Sequence, residues 1–335
     1  MIVSKIQLRL KKEWGRVESS SPICFNLIPN ELAWTIDATD IGVTLEPGSK
    51  KLGLLMYADD IVLFANTAYQ LQDLVDICNT WANRYSLKIN LHKSVVVDYS
   101  ARPTKLDVVI EGKQLEQVTQ YRYLGKVIGT TRVGAAHAKA ALERVRSAGR
   151  ATRVILNSVK CMPIIKRSII AEACITTVAT YASECAQHEW NGASLKCAEI
   201  ERVRLARMIL HAPAGIARET SMLDMGWITL ANHMRTRLLR FRKRVYNMND
   251  QLAVIMRDIN AKELLPWEKR CKDTLTLLNL KEYQDNTKLQ TTDTKEWQSI
   301  VAVAARELNL EESLHRLKNE RKNYKTILPT YGRRS

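Results

Sequence analysis

Apolar positions along this chain follow two different rhythms, and the change comes near residue 130. Before it, short β-branched runs are separated by turn residues: Leu52 to Ala65, Ser94 to Tyr99, and Val108-Val109-Ile110 leading into Glu111-Gly112-Lys113. Runs of that length and composition predict strands, and the break inside the first predicts a hairpin. One stretch among them, Leu71 to Tyr85, keeps a helical period instead. After residue 130 nearly everything has helical period, punctuated by Pro163, Pro213-Ala214-Gly215 and Pro266. The pattern therefore predicts an α+β unit over residues 1–130, with a hairpin at 52–65, a helix at 68–85 and further strands near 94–99 and 106–128. It predicts helices over 131–250 and a helical extension over 251–335 that turns at Leu264-Leu265-Pro266-Trp267. Glu311 to Arg321 reads as a charged surface helix, and Arg321 to Arg334 as a loosely ordered basic end. The sequence has no internal repeat or low-complexity tract.

The first hairpin carries an anomaly. Tyr57-Ala58-Asp59-Asp60 sits between Leu54-Leu55-Met56 and Ile61-Val62-Leu63-Phe64-Ala65, so two adjacent carboxylates interrupt an apolar run. Burying two like charges is very costly. A divalent cation, which takes hard oxygen ligands, is the partner best able to offset that cost. A solvated turn, where Asp is common, is the plainer account.

Charge changes the picture further along. At 335 residues, with 46% hydrophobic residues, the chain is long enough for about two domains with ample cores. Its formal net charge of +16 points to a polyanionic partner or a membrane surface. That charge is uneven: about +1 over residues 1–130, about +11 over 131–250 and about +4 over 251–335, which places the electrostatic footprint in the middle. In the helix expected over Gly134 to Asn157, Lys139, Arg146, Arg150 and Arg153 share one face, while Ala138, Ala141, Leu142, Val145 and Ala148 form an apolar one. A one-signed basic stripe opposite a packing face suits a phosphate backbone, with only Glu143 and Glu172 as nearby acids; an ordinary solvated face is the alternative. A second cluster, Arg235, Arg237, Arg240, Arg242, Lys243 and Arg244, wraps around its helix and reads as general attraction and solubility.

No run is long and apolar enough to span a bilayer, and Met1-Ile2-Val3-Ser4-Lys5 lacks the apolar core of a signal peptide. The expectation is an intracellular protein, nuclear or cytoplasmic, with no membrane partner. Seven scattered cysteines, Cys24, Cys78, Cys161, Cys174, Cys185, Cys197 and Cys271, fit reduced core thiols. Cys185, His188, Cys197 and His211 offer the outline of a zinc set without its short second spacing.

Besides the Tyr57-Ala58-Asp59-Asp60 hairpin, three segments stand out. They are Ser86-Leu87-Lys88-Ile89-Asn90-Leu91-His92-Lys93-Ser94, then Tyr121-Arg122-Tyr123-Leu124-Gly125, then Thr180-Tyr181-Ala182-Ser183-Glu184. In this order they resemble reverse transcriptases of non-LTR (LINE-type) retrotransposons. The hairpin is similar to that family's metal-binding hairpin, and the segment after it to the family's Gly-Leu-x-(Leu/Ile)-Asn-x-x-Lys-Thr. The next resembles its Tyr-Leu-Gly primer-grip turn, and the last the Tyr-Gly-x-Glu that ends a thumb-region helix. The likeness covers roughly residues 20 to 250. It implies a partial polymerase palm of antiparallel strands and helices over 1–130, then an all-helical thumb-like region over 131–250 and a C-terminal region over 251–335. It also implies RNA-directed DNA polymerase chemistry, a two-metal nucleotidyl transfer with Mg2+ or Mn2+ on an RNA template and a DNA primer. By the same resemblance Asp59 is a direct metal ligand and Asp60 a second one, and Met56 and Tyr57 lie under the primer terminus. Lys93 would serve the incoming triphosphate or the pyrophosphate leaving group. Tyr123, Leu124 and Gly125 would hold the primer strand, Gly125 permitting close backbone approach. A plain surface lysine and an ordinary β-turn remain the alternatives for those last two assignments.

Other segments depart from the family. Its two-metal site takes another Asp from a separate upstream palm strand, and only 56 residues precede Tyr57. Ser21-Pro22-Ile23-Cys24-Phe25-Asn26-Leu27 looks like the tail of its Gln-Gly-x-x-(Leu)-Ser-Pro-x-Leu-Phe-Asn segment, with Arg16-Val17 where the Gln-Gly stands. Met1 to Trp14 reads as too short for the fingers and the first palm strand, and Asp37 and Asp40 come in the wrong order to be the absent ligand. Two carboxylates on one hairpin do not clamp a pair of ions, and losing a metal ligand removes transition-state stabilisation on the order of several kcal/mol. The expectation is an N-terminally truncated retrotransposon product that does not work as a polymerase. Two other readings stay open: an inert RNA- or DNA-binding remnant, and a helical protein-interaction scaffold anchored by Trp190, Trp227, Trp267 and Trp297.

Overall fold

The computed structural model describes all residues except 11–20, 46–50, 131–133, 160, 187–189, 191, 264–265 and 332–335. His188 and the Leu264-Leu265 break therefore lie outside the described residues. The chain divides into two compact units, Met1–Val133 and Gly134–Ser335.

The first unit is a mainly antiparallel sheet, in which β8 joins β5 parallel, packed with two helices. Its elements are β1 (Ile2–Leu10), α1 (Ser21–Ala38), β2 (Leu54–Tyr57), β3 (Asp60–Ala65), α2 (Ala68–Arg84), β4 (Leu87–Ile89) and β5 (Val95–Asp98). Short strands follow: β6 (Val109–Ile110), β7 (Lys113–Gln114), β8 (Glu116–Gln117), β9 (Gln120–Tyr123) and β10 (Lys126–Gly129). The sheet order is β2-β3-β1-β5-β8, with β4 also paired to β1, while β6–β7 and β9–β10 form separate ribbons. α2 starts where the Thr67 hydroxyl accepts the Gln70 amide at 3.2 Å, and Gln70 Oε1 reaches back to the Asn66 amide. Its Leu71, Leu74, Val75, Cys78, Trp81 and Ala82 are buried at helical spacing, and they pack with Leu32 and Ile36 of α1 against Ile2, Ile6, Ile61 and Leu63 of the sheet. Burial pushes the Cys78 thiol up to about 12, so this cysteine packs as an inert hydrophobe.

The opening segment differs from expectation. Read as too short for a palm strand, it forms β1, which lies between β3 and β5 and pairs antiparallel with both. Ile2, Ser4 and Ile6 are buried on one face of the strand and Val3 on the other, which it shares with the partly exposed Lys5.

The second unit is helical: α3 (Gly134–Ser158), α4 (Ile164–Ala179), α5 (Ser183–Ala186), α6 (Gly192–Leu210), α7 (Arg218–Asp224), α8 (Leu230–Asn247), α9 (Gln251–Glu263), α10 (Pro266–Leu277), α11 (Asn286–Thr291) and α12 (Thr294–Tyr331). α8 serves two cores. Leu230 and Met234 pack with Val145, Ile175, Leu205 and Trp227, whereas Leu238, Leu239 and Tyr246 pack with Cys271, Leu275, Trp297 and Val301. Residue 250 is therefore no boundary between separate cores, because one helix crosses from the first to the second. α12 is one helix from Thr294 to Tyr331, so the segment after Arg321 continues it where a loose end was expected. Trp190, Trp227 and Trp297 are buried, which removes them as anchors for an external protein. Six described cysteines form no disulfide; Cys78 and Cys271 are buried, but Cys161 and Cys185 are exposed, so the core-thiol expectation holds for only part of the set.

Candidate active site

The acidic hairpin is built on the sheet of the first unit. Tyr57 pairs with Asp60, leaving Ala58 and Asp59 as a two-residue turn in which Ala58 adopts φ +52°. Met56 is half-buried against the core, Tyr57 and Asp59 are exposed, and Asp60 is the first residue of β3. Register decides what Asp60 meets. Gln7 of β1 lies opposite Asp60, and Lys5 opposite Val62, so the Lys5 side chain shares Asp60's face of the sheet one diagonal step away. Lys5 Nζ lies 3.3 Å from Asp60 Oδ1, with only 14% and 18% of the two side chains exposed. The same ammonium donates to the Arg122 carbonyl at 2.9 Å.

That carbonyl belongs to the second recognisable element. β9 and β10 form a hairpin whose central residues are Leu124 at φ +46° and Gly125 at φ +78°. Two consecutive positive φ angles give the turn whose twist suits a two-residue hairpin, so Gly125 answers a conformational demand of the ribbon itself. Tyr123 borders the acid: its phenol is pushed up, first by burial and then by the Asp60 charge. The structure thus brings Asp60, Lys5 and Tyr123 together, with Met56, Tyr57 and Asp59 on the adjoining hairpin. Lys93 is exposed at the end of a short 3-10 turn (Leu91–Lys93) that packs near β1.

Lys5 was missed by sequence reasoning. Its signal was the alternation Lys5, Gln7, Arg9 against Ile6, Leu8, Leu10, the period of a half-buried strand. It matters because it answers the charge problem of the hairpin with an ammonium in place of a metal. Asp60 Oδ1 is shielded from water and has no aligned hydrogen-bond donor, as a metal ligand would, but Lys5 Nζ already sits beside it. Among the described residues no three His, Cys, Asp or Glu side chains gather to hold an ion. As folded, Lys5 stands beside Asp60 where an ion bound to that carboxylate would have to lie.

The basic residues of the second unit fall into two classes. On α3, Ala138, Ala141 and Val145 are buried as expected, and Lys139 and Arg150 are exposed. Arg146 is paired with Glu143 at 2.6 Å, and Arg153 reaches Glu201 of α6 at 3.4 Å. Glu172, expected beside this stripe, instead holds Arg202 and lies 3.4 Å from His233. On α8, two of the clustered cations are structural. Arg242 is buried with Glu268 at 2.8 Å, and Lys243 Nζ donates to the carbonyls of Leu289, Gln290 and Thr292 at the end of α11. Arg237, Arg240 and Arg244, spaced by three and four residues, share one exposed stripe, so the cluster does wrap around its helix; the correction is to its reading as general attraction and solubility, since Arg242 and Lys243 are committed to the interior.

Comparison with known proteins completes the description. Residues 19–128 match the family described as reverse transcriptase (RNA-dependent DNA polymerase), a span that includes both hairpins. The retrovirus-related Pol polyprotein from type-2 retrotransposable element R2DM of Drosophila melanogaster is 30% identical over 115 residues, 31% of this chain and 11% of that protein. The probable RNA-directed DNA polymerase from transposon BS of Drosophila melanogaster is 23% identical over 217 residues, 61% of this chain and 23% of that protein. The chain thus spans less than a quarter of the length of either relative. The acidic turn and the Tyr-Leu-Gly turn both lie inside the matched span and agree with the likeness: at residues 19–128 this chain carries a reverse transcriptase domain, similar to the retrotransposon proteins named above.

Proposed function

We propose that this chain is the nucleic-acid-holding part of an RNA-directed DNA polymerase from a non-LTR retrotransposon, and that in the arrangement described it grips RNA and DNA without extending a primer. Residues 1–130 act as palm, 131–250 as a thumb-like basic region and 251–335 as its helical extension. The observation that carries the second half of this reading is the pair between Lys5 and Asp60 at 3.3 Å. Family members generally use divalent ions; here Mg2+ or Mn2+ has to displace Lys5 before Asp60 becomes available, so no catalytic step is assigned to the two acids. The gripping half is supported by the net charge of +16 and by the exposed Lys139 and Arg150 on α3. No described helix is long and apolar enough to cross a membrane, and the reverse transcriptase match at residues 19–128 favours nucleic acid as the polyanion that suits the charge.

The test is primer extension on an RNA template with Mg2+ or Mn2+, beside the Asp59→Asn/Asp60→Asn variant, with duplex binding measured on the same preparations. The expected result is no extension by either protein and salt-sensitive binding by both. Extension by the wild type that the double variant abolishes overturns the binding-only reading. Binding that ignores salt points to a protein-interaction scaffold instead.

A further inference from the structure

The arginine stripe of α8 lines a cavity that the acidic hairpin does not explain. It holds about 480 Å3, lies wholly within the second unit, and is walled by Arg237, Arg240, Phe241, Arg244 and Trp297, with Glu184 at its edge. Glu184 is the acid of the Thr180–Glu184 segment singled out in the sequence. It is spent: its carboxylate takes a bidentate pair from Arg237 at 3.0 and 3.2 Å. Lys243, also on the wall, is occupied by the carbonyls that end α11. Arg244 stacks over the Phe241 ring at 5.0 Å, and Arg240 donates only a long 3.4 Å bond to the Gln298 carbonyl. Two planar guanidiniums therefore face one cavity with no carboxylate of that cavity left to neutralise them. Burial, and after it the neighbouring Arg237, push the Arg240 guanidinium down, which is the direction expected where an anion is wanted.

We propose that this cavity is a phosphate site in which Arg240 and Arg244 bind a phosphodiester of the nucleic-acid strand the chain holds. The fork of a guanidinium matches phosphate oxygens, and Phe241 offers an apolar wall beside them. This rests on the nucleic-acid reading above, so the test separates the two. Binding of a labelled RNA–DNA duplex is followed across a salt series for the wild type, for Arg240→Gln/Arg244→Gln, and for Gln298→Glu, which sets a carboxylate at the cavity mouth. These side chains are exposed, and an unchanged melting temperature certifies the fold. In both variants we expect about tenfold weaker binding and a salt slope reduced by about one to two. Salt-sensitive binding that is the same in all three proteins overturns the cavity site and leaves the nucleic-acid reading standing. If the wild type binds no duplex, that reading fails, and inorganic phosphate becomes the probe. A rise in the wild-type melting temperature that the double variant lacks then retains the site for a free phosphate; no rise in either overturns it.

Discussion

At the scale of single residues, two features depart from what their surroundings ask for, and each gives a measurable consequence. Lys5 is a cation set against a hairpin acid. Replacing it by Met keeps the aliphatic stem against the sheet and leaves Asp60 as a partly buried, uncompensated charge. Lys5→Met is therefore expected to lose stability without metal and to recover it with millimolar Mn2+, since a ligand that binds only the folded form stabilises it. The wild type and Lys5→Met/Asp60→Asn should show no such recovery in a melting series, and equal Mn2+ recovery in all three would sink the idea. The second feature is backbone. Ser86 at φ +54° and Ala182 at φ +54° each stand where the resembled motifs carry Gly. Ser86 follows the end of α2, the position where a helix commonly closes with a left-handed residue. The steric cost there is about 1–2 kcal/mol for a residue with a Cβ, partly offset by glycine's greater unfolded-state entropy. Ser86→Gly and Ala182→Gly are each expected to raise stability by up to about 1 kcal/mol, read as a few degrees in Tm. A fall in Tm on both substitutions contradicts this account.

Among elements, the second unit joins its helices by buried ion pairs as well as by apolar packing. Arg202 of α6 is fully buried. It donates to Glu199 at 2.7 Å and to the Ile228 carbonyl at 2.8 Å, pairs with Glu172 of α4, and lies 5.3 Å from the centre of the Trp227 ring. Glu199 in turn accepts the Leu230 amide at the start of α8, so one guanidinium ties three helices. Burial alone would raise the Glu172 carboxyl, but the His233 imidazole 3.4 Å away and the Arg202 charge outweigh it and hold the group down at about 2. A carboxyl depressed in the folded state adds stability that is complete above its unfolded value, near 4.5, and is lost as pH falls toward about 2. Acid titration of unfolding should therefore show a loss on the order of a few kcal/mol in that window, and Glu172→Gln should flatten it while Arg202 keeps Glu199. An unchanged acid limb would place the linkage elsewhere. None of this network was legible beforehand, because a charge on a helix looks the same in sequence whether it meets water or a partner thirty residues away. The hairpin at 54–65 and α2 were legible, since their apolar periods are strong and local. β1 was missed although its alternation was present, because its partners β3 and β5 lie far along the chain.

For the whole molecule, the uneven charge was read correctly as a distribution, but sequence overstated how much of it is available. Of the four cations on the α3 stripe, Arg146 and Arg153 are engaged by Glu143 and Glu201, while Lys139 and Arg150 are exposed. The α8 cluster divides likewise, with Arg242 and Lys243 committed to the interior. Net charge thus sets long-range attraction, whereas the number of phosphates neutralised depends on which side chains remain uncommitted. The two quantities separate in a salt series. Every phosphate that the protein ceases to neutralise takes about 0.7–0.9 off the slope of log affinity against log salt, whatever the sequence bound. Lys139→Gln/Arg150→Gln is expected to lower that slope by about 1.5 and to weaken duplex binding at every salt concentration. Arg146→Gln/Arg153→Gln removes the same formal charge but frees Glu143 and leaves Glu201 to Arg204, so its net effect on long-range attraction is similar while its slope changes by less than about one. Anisotropy measured from about 50 to 200 mM salt resolves this difference, because a protein that neutralises several phosphates loses orders of magnitude in affinity over that range. Equal slope changes in the two pairs would mean that the ion pairs on α3 open to meet the strand, and that all four cations of the stripe act as the sequence suggested.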